Sequence, residues 1–393
     1  MFSAFQRLRN PLRNPLRWVL ATMLTLVLAS CQVGGPGLGT GPRVSGETVE
    51  VAMLLPLSSA QGGDAIIARS LENAARLAAT EQSGVTIDIR VYNTDGDPAT
   101  AATVARQAVQ EGADVILGPL RSESAAAVGV AVANSGVSVL SFSNNAEVAG
   151  DNVFVLGNTF ANTADRLVSY AARQGVGNIV VVHASNLAGE VARDAIRGAA
   201  ARSGATIAAT VPYEFSQTGV IDAVPQVVEA VRNGDANGVL LTSDSAGALP
   251  FFAQLLPENG LDLETVRVMG LTRWDTPPQT LEFGGLQGGW FTLPDQGALA
   301  GFEDRYAATY GAAPHTLASL AYDGVRAIAE TVATTGRVGG ADLTASPGFQ
   351  GAGGVFRLLS DGTNQRALAI AQVTDNQVAI IDPAPRRLGG PGL

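Results

Sequence analysis

Residues 114–122, Asp-Val-Ile-Leu-Gly-Pro-Leu-Arg-Ser, join a short apolar run to a polar loop. The run at 114–117 has the length and composition of a buried strand. The Ala/Val-rich residues 122–134 that follow the loop have those of a helix. A strand that leads through a short loop into a helix is the repeating unit of a parallel sheet covered by helices. The stretch therefore predicts an α/β fold.

The same unit recurs on both sides of this stretch. The sequence predicts strands at 49–55, 85–92, 114–117, 137–142, 178–183, 206–213, 238–242, 265–270 and 285–293. It predicts helices at 66–82, 99–111, 122–134, 189–202, 220–233, 245–256, 296–310 and 315–335. A β-meander is predicted at 354–359, 367–373 and 377–381. The alternation indicates two similar halves, each a doubly wound parallel sheet with helices on both faces.

The composition argues against most kinds of enzyme. The 393 residues contain two histidines, His183 and His315, one cysteine, Cys31, and no lysine. Schiff-base chemistry, a Walker A lysine and a Cys/His metal cluster are therefore excluded, and no G-x-S-x-G motif is present. We expect a protein without catalytic residues, bound metal or cofactor. The net charge of −10 argues against a nucleic-acid partner, because an acidic surface repels phosphates.

The N-terminus predicts export and attachment to a membrane. Residues 1–17 are rich in Arg and residues 18–30 are apolar and then small, which is typical of a secretory signal. The run ends Leu28-Ala29-Ser30-Cys31, which resembles a bacterial lipobox and implies a lipidated Cys31 after removal of residues 1–30. An unlipidated cysteine after an ordinary signal peptide is the alternative. Residues 31–47 are rich in Gly and Pro and are expected to form a tether, and 386–393 a flexible tail.

The loops after the predicted strands form the candidate binding site, because ligands of open parallel sheets lie beyond the carboxyl ends of the strands. Small hydroxyls, amides and helix N-termini in these loops suit an anionic group such as a carboxylate. The candidate ligand-binding residues are Ser58, Arg121, Ser122, Ser143, Asn144, Asn145, Ser185, Asp244, Arg273 and Trp274. Two alternatives stay open: Ser122 serves only as a helix cap, and Trp274 closes its lobe instead of stacking on a ligand.

The order of several segments carries a family resemblance. The segments are residues 51–58, 94–98, 116–122, 137–144, 302–306, 310–311 and 321–325. In this order they resemble the type I periplasmic-binding fold, as in branched-chain amino-acid binding proteins. The resemblance implies two lobes, 48–157 plus 295–335 and 158–294 plus 336–385, joined by three crossovers at a hinge. It also implies a small-molecule ligand in the cleft between the lobes, with Arg121-Ser122 and Ser143–Asn145 facing a carboxylate and Asp244 as the acid for an ammonium group.

A narrower resemblance bears on the partner. Residues 140–144, Leu-Ser-Phe-Ser-Asn, with 148–150 and Trp274-Asp275, are similar to the penicillin-binding-protein activator lipoproteins. This implies a regulator of peptidoglycan synthesis on the periplasmic face of the outer membrane, with a peptidoglycan synthase as partner. The alternative is the solute-binding protein of an ABC importer for amino acids or similar small molecules, with a permease as partner at the inner membrane. An envelope hydrolase would need a nucleophile next to a base, which two histidines make difficult.

Overall fold

The computed structural model describes Val44 and residues 48–389. The predicted signal peptide, the lipidation site at Cys31, nearly all of the tether and the last residues of the tail lie outside the described residues. Within the described part, no helix is both long enough and apolar enough to span a bilayer.

The first lobe is built on a parallel sheet of five strands. Its strands are β1 (Thr48–Leu55), β2 (Thr86–Asn93), β3 (Val115–Leu117), β4 (Ser138–Ser141) and β5 (Val153–Val155), in the order β2-β1-β3-β4-β5. The helices between them are α1 (Asp64–Thr80), α2 (Pro98–Gln110) and α3 (Ser122–Val132). Side chains of the central strands are buried on both faces of the sheet, which explains why these strands are apolar throughout.

The second lobe is built on a sheet of seven strands. After α4 (Phe160–Arg173) come β6 (Asn178–Ala184), α5 (Leu187–Ser203), β7 (Thr206–Tyr213), α6 (Gln217–Asn233), β8 (Gly238–Leu241), α7 (Leu249–Glu258), β9 (Arg267–Gly270) and β10 (Trp290–Leu293). The sheet order is β15-β14-β10-β9-β8-β6-β7. In this sheet β14 (Ala369–Thr374) pairs antiparallel with β10 and with β15 (Gln377–Asp382), and the other pairs are parallel. The two lobes confirm the predicted α/β architecture.

The chain crosses between the lobes three times. It leaves the first lobe after β5 and returns after β10 to form α8 (Gln296–Tyr310), α9 (Ala318–Thr335) and α10 (Gly340–Thr344). A small antiparallel sheet follows, β11 (Phe349–Gly351), β12 (Gly354–Leu358) and β13 (Asn364–Arg366), before the last crossing into β14. The crossovers therefore lie at residues 156–159, 294–295 and 367–368.

The small sheet differs from what the sequence predicts for the C-terminal part. We predicted residues 336–385 in the second lobe and one meander over 354–381. Phe349 and Phe356, with ring centroids 5.4 Å apart, instead belong to the core of the first lobe. Only β14 and β15 pair with the second sheet. The strand β11 packs against the long helix α9 and β12 against the short helix α10, so the chain changes lobes some 30 residues later than predicted.

Two elements between residues 143 and 177 were not predicted. The strand β5 has only three residues, and α4 carries the polar residues Asn162, Thr163 and Arg166 on its buried side. These side chains are buried because they bond to the neighbouring crossover. Arg166 donates from Nε to the carbonyl oxygen of Leu368 at 2.6 Å, and Asn162 donates to Asn364 at 2.8 Å. The helix also has an apolar stripe, Ala164, Leu167, Val168 and Ala171, which packs in the core of the second lobe, so the helical pattern is present in the sequence although it was not predicted.

Candidate functional site

A cleft of about 850 Å³ lies between the two lobes. The first lobe contributes the start of α1, the loops after β3 and β4, one side of α8 and the start of α9. The second lobe contributes the loop after β9, residues of β10 and the start of α4, and the crossovers form the floor. The cleft therefore opens at the carboxyl ends of the strands of both lobes, as expected for a binding site in parallel sheets.

The first wall centres on Arg121 and Asp64. Arg121, the residue before α3, donates from Nη2 to Oδ1 of Asp64 at 2.6 Å, and Asp64 in the first turn of α1 is only 2% exposed. Burial acts to raise the pKa of Asp64, but the hydrogen bonds from Arg121 and Ser59 outweigh it and hold the pKa below its ordinary value. The pair is therefore ionised at neutral pH, with the guanidinium at the surface of the cleft.

Ser122 and the loop after β4 complete this wall. Ser122 is the first residue of α3 and lines the cleft, so the N-terminus of that helix faces the cavity. Ser143 and Asn145 also line the cleft, yet their oxygens accept hydrogen bonds from the backbone N–H of Asn145 and Glu147, which shapes the loop. Asn144 makes no such bond and is exposed to the cleft. Among residues 48–389 no side-chain hydrogen bond engages Ser122 or Asn144, so both are available to a ligand.

Gly157 lets the first crossover lie against the loop after β4. A Cβ atom at Gly157 would stand 2.7 Å from the carbonyl oxygen of Ser143 and 2.8 Å from Cα of Asn144. Both distances are shorter than any ordinary contact of a side chain. The N–H of Gly157 donates to the same Ser143 carbonyl at 3.0 Å. Because the two backbone segments lie this close together, the first crossover sets the position of Asn144 in the cleft.

Trp274 does not contact the cleft, which corrects its prediction as a ligand-binding residue. Its side chain is fully buried in the core of the second lobe and stacks on Phe291 with centroids 5.4 Å apart. Gly270 and Gly289 make room for the ring, because a Cβ at either position would approach it to 2.2 Å and 2.7 Å. Trp274 therefore closes its lobe, which is the alternative that the sequence left open.

The residues on either side of Trp274 form the second wall. Arg273 and Asp275 emerge from the loop and pair in a two-pronged arrangement, with Nε to Oδ1 at 2.9 Å and Nη2 to Oδ2 at 2.6 Å. Arg273 lines the cleft. The hydrogen bonds that Arg273 donates to Asp275 raise the pKa of Arg273 above its ordinary value. Burial opposes this rise, and Glu303 of the first lobe adds to it. Glu303 lines the cleft on α8, so opposite charges of the two lobes face each other here.

Three further predicted residues lie away from the cavity. Ser58, Ser185 and Asp244 are exposed and do not line the cleft, although each follows a strand. Ser58 is engaged with Asn93 and Asp95 in a surface hydrogen-bond cluster. For Ser185 and Asp244 the physical reason is the order of the strands: β9 and β10 lie nearest the crossovers in the second sheet, whereas β6 and β8 lie on the far side of β9. Their loops therefore do not reach the cavity.

The structure adds residues that the sequence analysis missed. They are Asp64, Glu303, Thr159, Thr316 and Arg366, all of which line the cleft. Glu303 falls in a segment that carried the family resemblance, but nothing in the spacing marked its side chain as facing a cleft. Asp64 follows Gly62-Gly63 at a helix start, where an acidic residue is common for reasons of capping alone. Across residues 48–389, no three His, Cys, Asp or Glu side chains come together in a way that could hold a metal ion.

Comparison with known proteins places the chain in a family. The family model described as periplasmic binding protein matches residues 48–377. A putative branched-chain amino acid ABC transporter protein from Rhodospirillum rubrum has a solved structure that superposes with a TM-score of 0.72, at 20% identity over 85% of this chain and 100% of that one. An ABC transporter substrate-binding protein from Desulfitobacterium hafniense in complex with Leu superposes with a TM-score of 0.62, at 17% identity over 85% and 100% of the chains.

A curated relative is more similar in sequence over a shorter region. An uncharacterized protein of Rickettsia prowazekii is 26% identical over 152 residues, which is 38% of this chain and 40% of that protein. The chain thus matches about two fifths of that relative's length. None of these relatives is described as an activator of a penicillin-binding protein, so the narrower resemblance finds no support here. The match over 330 of the 393 residues, 48–377, together with the two-lobed structure, shows that the chain belongs to the periplasmic binding protein family, with the type I fold that the sequence predicted.

Proposed function

We propose that the chain is the solute-binding protein of an ABC importer, which captures a small molecule in the cleft between its lobes and delivers it to a permease. The observation that carries the proposal is the cleft itself. Its volume of about 850 Å³ is within the range of small-molecule sites, and side chains from the opposite lobe do not fill it. Relatives with the same fold are described as transporter binding proteins, one of them holding Leu.

The lining favours a small organic molecule with a polar end and an apolar part. Arg121, Ser122 and Asn144 offer hydrogen-bond donors on one wall, and Arg273 offers them on the other. Apolar surface comes from Phe142, Phe160, Leu271, Leu317, Leu320 and Leu368. A hydrophobic surface with a few placed polar groups is the usual composition of a ligand site. An amino acid, or a molecule of similar size and polarity, fits this description.

The role as a regulator of peptidoglycan synthesis is the weaker proposal. A regulator that works through a protein partner needs no cavity, and its cleft is expected to be closed or filled. The cleft of this chain has a volume of about 850 Å³ and is lined by polar groups such as Ser122 and Asn144, whose side chains have no hydrogen-bond partner within the described part of the chain. A solute-binding protein is expected to have such a cleft and to close it by hinge motion around the ligand.

The proposed function also predicts where in the cell the protein lies. The family works in the periplasm, and we propose that Cys31 carries a lipid anchor there. An importer's permease lies in the inner membrane, so solute delivery favours an anchor in that membrane over the outer membrane. Fractionation of cells that express the wild-type chain or Cys31→Ser tests the anchor: the wild type is expected in the inner membrane fraction and the variant in the soluble periplasm. A wild-type chain found in the soluble fraction contradicts the anchor.

The binding function is tested by titration calorimetry and thermal unfolding of the purified protein with amino acids, short peptides and muropeptides. A ligand that binds only the folded protein raises its stability, by about 2.7 kcal/mol at 100 times the dissociation constant. We expect Ser122→Ala to weaken binding and Ser185→Ala, a serine in an equivalent loop outside the cleft, to leave it unchanged. Binding of muropeptides alone would favour the regulator, and binding that survives both substitutions would place the site elsewhere.

A further inference from the structure

We infer that one apolar and acidic surface of the second lobe docks onto the permease of the importer, and that the permease surface that fits it carries arginine or lysine side chains beside apolar ones. The inference rests on the proposed function and deepens it, because it names the surface through which the protein reaches its partner. This surface, called the rim surface below, consists of the exposed residues Glu214, Phe215, Ile221, Asp222, Asp244 and Phe251.

Exposed apolar side chains are concentrated at the edge of each sheet that faces the cleft. Across residues 48–389, nine large apolar side chains are exposed, and six of them lie just after the carboxyl end of a strand: Leu57, Ile66, Leu187, Phe215, Ile221 and Phe251. None of the six lines the cavity, so a solute in the cleft does not cover them. Single exposed apolar residues are normal on any protein, but a concentration at one edge is typical of a surface that contacts another molecule.

The rim surface is built where β7 and β8 end and α6 and α7 begin. The buried rings of Tyr213, at the end of β7, and Phe252, in the first turn of α7, pack with centroids 5.0 Å apart. Phe215 and Phe251 are therefore held on the outside of one packed core. A Cβ atom at Gly247, in the loop after β8, would stand 3.5 Å from the ring of Phe215, so this loop adjoins that ring. The helices α6 and α7 also pack against each other.

The charged residues of the rim surface are all acidic. Glu214, Asp222 and Asp244 are exposed, and within the described part of the chain no ion pair or side-chain hydrogen bond engages their carboxylates. Residues 213–231 and 238–266, which include the ends of β7 and β8 and the helices that follow them, contain no basic residue. The apolar side chains therefore lie among negative charges that the protein itself does not neutralise.

This charge decides which occupant the rim surface fits. A second copy of the chain, paired by twofold symmetry, would bring the same carboxylates face to face, and an anionic lipid surface would repel them. A protein surface with arginine or lysine beside apolar residues matches both the carboxylates and the apolar side chains. Since the rim surface lies at the edge of the sheet that faces the cleft, a partner docked there lies beside the opening through which the solute leaves. The permease is the partner that this position suits.

The inference is tested by measuring solute binding and solute uptake separately. Calorimetry first identifies an amino acid or short peptide that the purified protein binds, and uptake of its radiolabelled form is then measured in cells that produce the full chain or a variant. Phe215→Asp is expected to lower the initial rate of uptake by about tenfold or more and to leave the calorimetric affinity unchanged. Val378→Asp is the matched control, because Val378 is an exposed apolar residue of β15, at the opposite edge of the same sheet. It should change neither quantity.

The acidic part of the rim surface is tested by two substitutions of one residue. Glu214→Gln removes an attraction to the basic residues of the permease, whereas Glu214→Arg replaces it with repulsion. We therefore expect uptake to fall further in Glu214→Arg than in Glu214→Gln, with unchanged affinity for the solute in both. Glu229→Arg is the control, because Glu229 is exposed on α6 but lies away from the end of the helix that belongs to the rim surface. Its uptake should equal that of the wild type.

The outcomes separate the inference from the proposed function. Normal uptake in both Phe215→Asp and Glu214→Arg overturns the inference and leaves solute import intact. Loss of uptake to the same extent in Val378→Asp or Glu229→Arg also overturns it, because the effect is then not confined to the rim surface. A loss of solute affinity that accounts for the lower uptake has the same consequence. A wild-type chain that binds none of the solutes, or that supports no uptake of the one it binds, contradicts the proposed function and the inference together.

Discussion

Nη1 of Arg366 lies 2.7 Å from Oδ2 of Asp323, and this ion pair ties the last crossover to the long helix α9. Asp323 is 1% exposed, and its other oxygen accepts the N–H of Ala352 at 2.7 Å. Arg366 in turn donates from Nε to the carbonyl oxygen of Leu156 in the first crossover at 3.0 Å. One buried pair thus connects the first and third crossovers, which are the segments about which the two lobes can move.

Removal of one partner of this pair is expected to be strongly destabilising. Arg366→Met leaves the Asp323 carboxylate buried without its counter-ion, which costs about 3–5 kcal/mol of unfolding free energy. Urea unfolding of the two proteins measures the difference. Arg202→Met is the control, because its pair with Asp165 is exposed and is worth at most about 1 kcal/mol. Equal losses of unfolding free energy in Arg366→Met and Arg202→Met would show that the buried pair contributes no more to stability than the exposed pair.

The crossovers also show where sequence reasoning stopped. The apolar strands of both sheets were predicted from composition, because a strand buried on both faces consists of apolar residues over its whole length. The element α4 was missed although its buried residues Ala164, Leu167 and Val168 have helical spacing. What the sequence could not show is that Asn162 and Arg166 of the same helix are buried by bonds to residues more than 200 positions away. Contacts of that kind do not leave a periodic pattern in the sequence.

The candidate site was predicted only in part, again because the local sequence does not show which distant elements the fold brings together. Arg121, Ser122, Asn144 and Arg273 follow strands that lie next to the crossovers, and the rule that ligands lie beyond strand ends found them. Ser185 and Asp244 obey the same rule but follow strands farther along the sheet, and the strand order is not encoded locally. Trp274 was misassigned because its burial depends on the space left by Gly270 and Gly289, which only the fold brings next to it.

Trp274→Ala is expected to destabilise the second lobe by about 3–5 kcal/mol, because it leaves a large cavity in a core where the indole is fully buried. It is also expected to weaken ligand binding, since the loop that carries Arg273 loses its anchor. Thermal unfolding and calorimetry measure the two effects. Phe215→Ala is the control, because that ring is 66% exposed and its loss should change stability by less than about 0.5 kcal/mol. A variant with normal stability and weakened binding would instead place the indole against the ligand.

Stability at acidic pH is expected to depend on Asp64. The pKa of this carboxyl is lower in the folded protein than its ordinary value of 3.8, because the bonds from Arg121 and Ser59 outweigh burial. A depressed pKa in the folded state stabilises the protein fully above the ordinary value, and the stabilisation is lost as the pH falls through the folded pKa. The advantage of the wild type over Asp64→Asn should therefore be present at neutral pH and shrink below pH 3.8. Urea unfolding across acidic pH measures it, and a gap that stays constant to the lowest pH contradicts the ionised pair.

Gly157→Ala tests whether the crossover sets the position of the loop after β4. The added methyl group would stand 2.7 Å from the carbonyl oxygen of Ser143 and against Asn144, so the loop or the crossover has to move. We expect a loss of stability of about 1–3 kcal/mol, as for an overpacked core, together with weaker binding of the solute. Gly177→Ala is the matched control, because a Cβ there meets no atom within 4 Å. If Gly157→Ala lowers stability but leaves the affinity unchanged, the loop moves without affecting the ligand, and Asn144 is then not a binding residue. If Gly157→Ala lowers both the stability and the affinity for the solute while Gly177→Ala changes neither, the position of Asn144 contributes to ligand binding.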